Sequence, residues 1–169
     1  MDVTLAALRA SLAGALRAMA VILVLLSATA TAAQEARTFV KKGAYDDVRL
    51  DLNEAVIGKG LKVEHTGDIA GMLERTGADV GSTKPIYTKA EYFLVCSALL
   101  SRRAMEADPA NIAACPYVLF LYETVDRPGE VVIGYRRPAG AGGQPQGGAN
   151  PAISAIEALL EDIVREAIR

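Results

Sequence analysis

Apolar and polar positions change their spacing several times along this chain, and each change marks an element. Ala36 to Lys42 alternates, with Thr38 and Val40 on one face, and reads as a first strand. From Tyr45-Asp46-Asp47 the period lengthens. Val48, Leu52, Ala55 and Val56 recur at i, i+4, i+7 and i+8, the stripe of an amphipathic helix. Asp46 is its expected N-cap, and Gly58 and Gly60 stop it. Leu61 to His65 alternates again as a second strand. Asp68 then caps a short helix from Ile69 to Thr76, with Ile69, Met72 and Leu73 inward and Gly77 at its end.

The middle of the chain is less regular. Ala78 to Thr88 carries Gly81 and Pro85 and reads as a loop. Glu91 to Val95 is apolar and aromatic, a strand by composition, although one long helix reaching Ala107 satisfies the same periodicity. Ser97 can cap a helix from Ala98 to Ala107, which Asp108-Pro109 ends. Pro116 to Thr124 is the clearest strand, rich in aromatic and β-branched residues. The turn signal Asp126-Arg127-Pro128-Gly129 joins it to Glu130–Arg137, whose Val131, Ile133 and Tyr135 share a face. The pair predicts an antiparallel hairpin. Residues 139–149 are Gly-rich and read as a flexible connection. Asn150-Pro151 opens a last helix, with asparagine at the N-cap and proline at N1. Ile153, Ile156, Leu160, Ile163 and Ala167 form its buried stripe, and Glu161–Arg165 is a favourable i,i+4 pair.

The first 32 residues follow a different logic. Arg9 and Arg17 precede an apolar block centred on Met19 to Leu26, and Ala30-Thr31-Ala32 closes it. This is the three-part layout of a secretory signal peptide. The uncharged run Ala18–Ala33 is short of the about 20 apolar residues of a spanning helix, which favours cleavage over retention as an anchor. The expected mature protein is periplasmic or secreted, with no stable membrane span. Loss of residues 1–32 removes Arg9, Arg17 and Asp2 and takes the net charge from −2 to about −3. Such a balance argues against nucleic acid as a partner. The remainder suits one domain.

Candidate chemistry is sparse. His65, the one histidine, shares its strand face with Leu61 and Val63 and so points toward the presumed core side. An imidazole there could serve as acid, base or ligand, but a lone histidine at a strand end is more often a partly buried polar cap. No G-x-S-x-G or other nucleophile motif accompanies it. The glycines of 139–149 lack the strand–turn–helix setting of a phosphate loop. Arg102-Arg103 and Tyr135-Arg136-Arg137 read as solvated basic clusters, with a site for an anion or an acidic partner patch as the sharper alternative. Tyr92, Phe93, Tyr117, Phe120 and Tyr122 read as core packing, with an apolar cavity between sheet and helices as the sharper alternative. Cys96 and Cys115 are an even pair in an oxidising compartment. Three readings stay open for them. They form a disulfide, they are buried small thiols, or Cys96 is a reactive thiol lowered by the helix that Ser97 caps. One histidine and two cysteines do not make a zinc site without carboxylates, and no cofactor is called for.

Several stretches taken together resemble a known family. They are Ala107-Asp108-Pro109 followed by Ala114-Cys115-Pro116-Tyr117-Val118-Leu119-Phe120-Leu121-Tyr122-Glu123, the Gly58-Lys59-Gly60-Leu61 step, Cys96, and the closing Gly134-Tyr135-Arg136-Arg137-Pro138. Their order and spacing resemble domain-of-unknown-function family 302, over roughly residues 36–138 plus the terminal helix. Ser97-Ala98 departs from the Asn-Pro that many members carry after the first cysteine, and the Gly-rich stretch resembles an insertion. The resemblance implies a small α+β fold, an antiparallel sheet of about five strands backed by helices on one face, in a homodimer in many members. It implies no established activity. An antiparallel sheet would set Cys96 and Cys115 at the same end and so favours their pairing. The organisation expected is a signal peptide (1–32), an α+β domain (36–138), a linker (139–149) and a helix packed on the domain (150–169). A module binding a small molecule or protein fits the absence of catalytic motifs. A thiol-redox protein or small enzyme using Cys96, Cys115 and His65 is the alternative.

Overall fold

The computed structural model describes residues 36–138 and 151–169. The signal peptide, the linker and the cap expected at Asn150 lie outside the described residues. Five strands form one fully antiparallel sheet: β1 (Ala36–Lys42), β2 (Val63–Asp68), β3 (Tyr87–Val95), β4 (Tyr117–Thr124) and β5 (Glu130–Arg136). Their order across the sheet is β1-β5-β4-β3-β2. The chain therefore starts on one edge and crosses to the other by helix α1 (Tyr45–Gly58). It then returns through β3, β4 and β5 until β5 pairs with β1.

One face of the sheet carries α1, α3 (Ala98–Ala107) and α4 (Pro151–Ala167), with α4 between the other two. The core lies there. Val48, Leu52 and Val56 of α1 meet Phe93, Val95, Leu119, Leu121 and Ile133 of the strands. The predicted stripe of α4 is buried throughout, with Leu160 and Ile163 fully enclosed. Polar links fasten its edges: Arg37 pairs with Glu161 at 3.0 Å, and Lys41 donates to Asp51 and to the Ala167 carbonyl. The last contact occupies one of the orphan carbonyls of the helix C-terminus. Arg165 reaches back to Glu161, as the i,i+4 spacing predicts.

Local signals located several boundaries. Asp68 accepts from the Gly71 amide and Ser97 from the Leu100 amide, the two predicted caps. Glu91–Val95 is strand and not helix, and it begins earlier, at Tyr87. Other positions differ. Helix α1 is capped by extended Ala44 without a side-chain bond; Asp46 sits in the first turn and pairs with Lys89 instead. A 3-10 helix, Pro109–Ala114, fills the step after Asp108. Met72 and Leu73 of α2 (Ile69–Thr76) are not inward, for α2 has no buried residue and lies at the β2–β3 side of the sheet.

Candidate functional site

The first six residues of β4, Tyr117-Val118-Leu119-Phe120-Leu121-Tyr122, are all apolar or aromatic. Alternation sends Tyr117, Leu119 and Leu121 into the helix-covered core and leaves Val118, Phe120 and Tyr122 on the other face. The five aromatics read as one core thus divide. Phe93 and Tyr117 are buried in the core, while Tyr92, Phe120 and Tyr122 lie on the open face, half-buried among themselves. Tyr122 stacks on Phe120 and meets Tyr87 edge to face.

Register organises that open face into rows across the strands. In one, Gly67 of β2 faces Tyr92 of β3, Tyr92 faces Phe120 of β4, and Phe120 faces Gly134 of β5. Both glycines are required by close approach. A Cβ at Gly67 would enter the Tyr92 ring, and a Cβ at Gly134 would come within 2.7 Å of the Phe120 ring. The two rings therefore lean outward in opposite directions, each over a neighbouring glycine. In the next row His65 faces Leu94 and Leu94 faces Val118, and Arg136 faces Ala36 at the far edge. The result is an open groove of about 490 Å³ with Leu94 and Val118 as floor, walled by Ile69, Tyr92 and Phe120 and closed by Ala36 and Arg136.

His65 belongs to this face and not to the core side. A bulge between Val63 and His65 inserts one residue, so Val63 faces Val95 in the core while His65 turns to Leu94. One extra residue in a period of two inverts every side chain beyond it. His65 is exposed, with its ring 5.9 Å from that of Tyr92. The basic clusters also separate. Arg102 pairs with Glu106 on α3, Tyr135 is buried, and Arg137 pairs with Glu157 of α4 at 2.7 Å. Arg136 makes no ion pair among the described residues and is the one charged side chain lining the groove.

The thiols come together elsewhere, at the end of β3 and the start of β4. Val95 faces Tyr117, which brings the preceding Cys115 beside Cys96. Both are half-buried and free, and the Cys115–Pro116 peptide is cis. Ser101 of α3 lies 2.7 Å from the Tyr117 hydroxyl and 3.6 Å from the Cys115 sulfur. Burial first, and then the neighbouring Cys115 thiol, push the Cys96 thiol up to about 11. The start of α3 does not reverse this rise. His65 lies on β2, away from both cysteines in the pairing order.

A further polar cluster was not legible in the sequence. Glu91 on β3 accepts from Arg49 at 2.6 Å and from the Tyr45 hydroxyl at 3.1 Å, and Lys89 binds Asp46 at 2.8 Å. Burial raises the Tyr45 hydroxyl far above its ordinary range, with Glu91 adding to the effect. These contacts join residues more than forty apart, so no local spacing announces them. Their charges satisfy one another, and the cluster clamps α1 to β3. Among the described residues no group of three or more His, Cys, Asp or Glu could hold a metal ion, and no helix is long and apolar enough to cross a membrane.

A five-stranded antiparallel sheet with helices on one face and a grooved apolar surface on the other defines a small α+β domain. The family model described as "Domain of unknown function DUF302" matches residues 37–167, and the chain belongs to that family. The fold is also similar to the crystal structure of an uncharacterized conserved protein DUF302 from Bacillus stearothermophilus. The similarity has a TM-score of 0.59 at 18% identity and covers 80% of this chain and 97% of the other. No curated protein matches the sequence.

Proposed function

We propose that this protein is a binding module whose working surface is the open face of the sheet, where an apolar small molecule lies in the groove over Leu94 and Val118. The observation that carries this reading is the pair of glycines. Gly67 and Gly134 are the positions at which Tyr92 and Phe120 lean apart, and without that divergence the floor would be covered. The volume falls within the range of small-molecule sites. The test uses the neutral apolar dye N-phenyl-1-naphthylamine. Saturable fluorescence enhancement at one dye per chain is expected, with loss in Val118→Lys, which places a charge on the floor. No enhancement, or enhancement unchanged in Val118→Lys, refutes the reading. Sedimentation of the same samples reports whether a homodimer covers this face.

The cysteine pair supports a second, structural role. The proximity of Cys96 and Cys115 and the signal-like first 32 residues fit an exported protein in which a protein disulfide donor oxidises the pair. The two thiols lose two protons and two electrons, and the donor disulfide becomes a dithiol. The high proton affinity of Cys96 favours a bond formed once over a thiol that cycles as a catalyst. Non-reducing peptide mapping and intact mass on protein from its host should find the Cys96–Cys115 linkage and the loss of about 32 residues. Free thiols on a chain that retains Met1 would refute both.

A further inference from the structure

The groove is apolar along its floor and walls, and its single charge lies at one end. Arg136 follows Tyr135, which faces Leu119, and so Arg136 stands beside Val118 in the cross-strand row. That row runs His65, Leu94, Val118, Arg136, Ala36, from one edge strand to the other. Its neighbour in sequence, Arg137, is committed to Glu157 on the covered side. Arg136 has no carboxylate partner among the described residues, and its guanidinium presents a fork of donors suited to a planar carboxylate.

We propose, building on the open-face reading above, that the ligand is a small carboxylate-bearing amphiphile. Its carboxylate binds Arg136, and its apolar body crosses the strands over Val118 and Leu94 toward His65. Neighbouring strands are about 4.8 Å apart, so the three intervals between Arg136 and His65 span roughly 14 Å. That length suits a medium alkyl chain or a flat fused aromatic acid. Tyr92 and Phe120 flank such a body, and Ile69 bounds it on the α2 side. Arg136 is exposed, so its guanidinium is reachable from solvent.

Competition against bound N-phenyl-1-naphthylamine tests this. Decanoate is expected to displace the dye at about tenfold lower concentration than 1-decanol, a difference equivalent to about 1.4 kcal/mol. Arg136→Gln should abolish that advantage, with both competitors scored against the dye affinity of the variant itself, and should leave the melting temperature unchanged because the side chain is exposed. The advantage should also shrink with added salt. Equal displacement by the acid and the alcohol, or an advantage that survives Arg136→Gln, overturns the carboxylate assignment and leaves the binding reading standing. Absence of dye binding overturns both. A dimer that buries the face, with dye binding only on dilution, overturns the small-molecule occupant in favour of a second copy of this chain.

Discussion

The two faces of one sheet are built from the same residue types and have opposite fates. On the covered face Tyr117, Leu119, Leu121 and Ile133 are sealed by α1, α3 and α4, and nearly every contact is apolar. On the other face Val118, Phe120 and Tyr122 come from the same strand, yet no helix of the described residues closes over them. An antiparallel sheet with a solvated face ordinarily alternates apolar and polar residues. Strand β4 does not, so its second face carries apolar surface beyond what folding of the covered side requires. What distinguishes the faces is how the rings sit. In the core they interlock with helix side chains; on the open face they lie over glycines and leave a trough.

Substitutions can sharpen or break this contrast. The largest effect belongs to the covered face. Leu160→Ala removes a fully enclosed side chain of α4 and should cost about 2–5 kcal/mol in chemical denaturation. A cost below about 1 kcal/mol would mean that α4 is not integral to the core. Next comes Gly134→Val on the open face. The added branch meets the Phe120 ring and the Arg37 carbonyl, so a loss of about 1–3 kcal/mol is expected. Loss of dye binding should accompany it, and retained binding would break the link between the glycine and the groove.

The thiol end of the sheet gives a pH signature. The folded Cys96 thiol holds its proton to about 11, above the ordinary value of 9.0. The folded state therefore binds that proton more tightly than the unfolded chain. The corresponding stability is fully present below about pH 9 and is lost as pH rises toward 11. Melting temperature of the reduced protein should fall across that window, and Cys96→Ser should flatten the fall. Alkylation of Cys96 should be slow at neutral pH and accelerate with base. The smallest effect concerns Tyr135. It is fully buried on the covered face, and its hydroxyl has no hydrogen-bond partner among the described residues. Tyr135→Phe should be neutral or stabilise by up to about 1 kcal/mol, measured by thermal unfolding. A clear loss would reveal a partner for that hydroxyl.

Helices and strands declared themselves through period, because an amphipathic stripe is local. The α1 stripe, the α4 stripe, the caps at Asp68 and Ser97 and the β4–β5 hairpin all follow from residues within one or two turns of each other. The antiparallel sheet with helices on one face came from the family resemblance, and the strand order accords with it. Helix α2 shows where a local pattern was insufficient. Ile69, Met72 and Leu73 have helical spacing, but α2 lies at the side of the sheet, where Met72 and Leu73 stay partly exposed.

What the sequence determined by itself was where the amphipathic helices and the β4–β5 hairpin lie and that Tyr117–Tyr122 of β4 is apolar on both sides, since these are properties of neighbouring residues. Tertiary structure decided which side each residue serves. The bulge after Val63 turned His65 outward, and the register across four strands set Gly67, Tyr92, Phe120 and Gly134 in one row. It also delivered Glu91 to Tyr45 and Arg49. A strand repeats every two residues, so one inserted residue exchanges the faces. Cross-strand neighbours are chosen by hydrogen-bond register between distant segments, and that choice leaves no mark in the spacing of either segment alone.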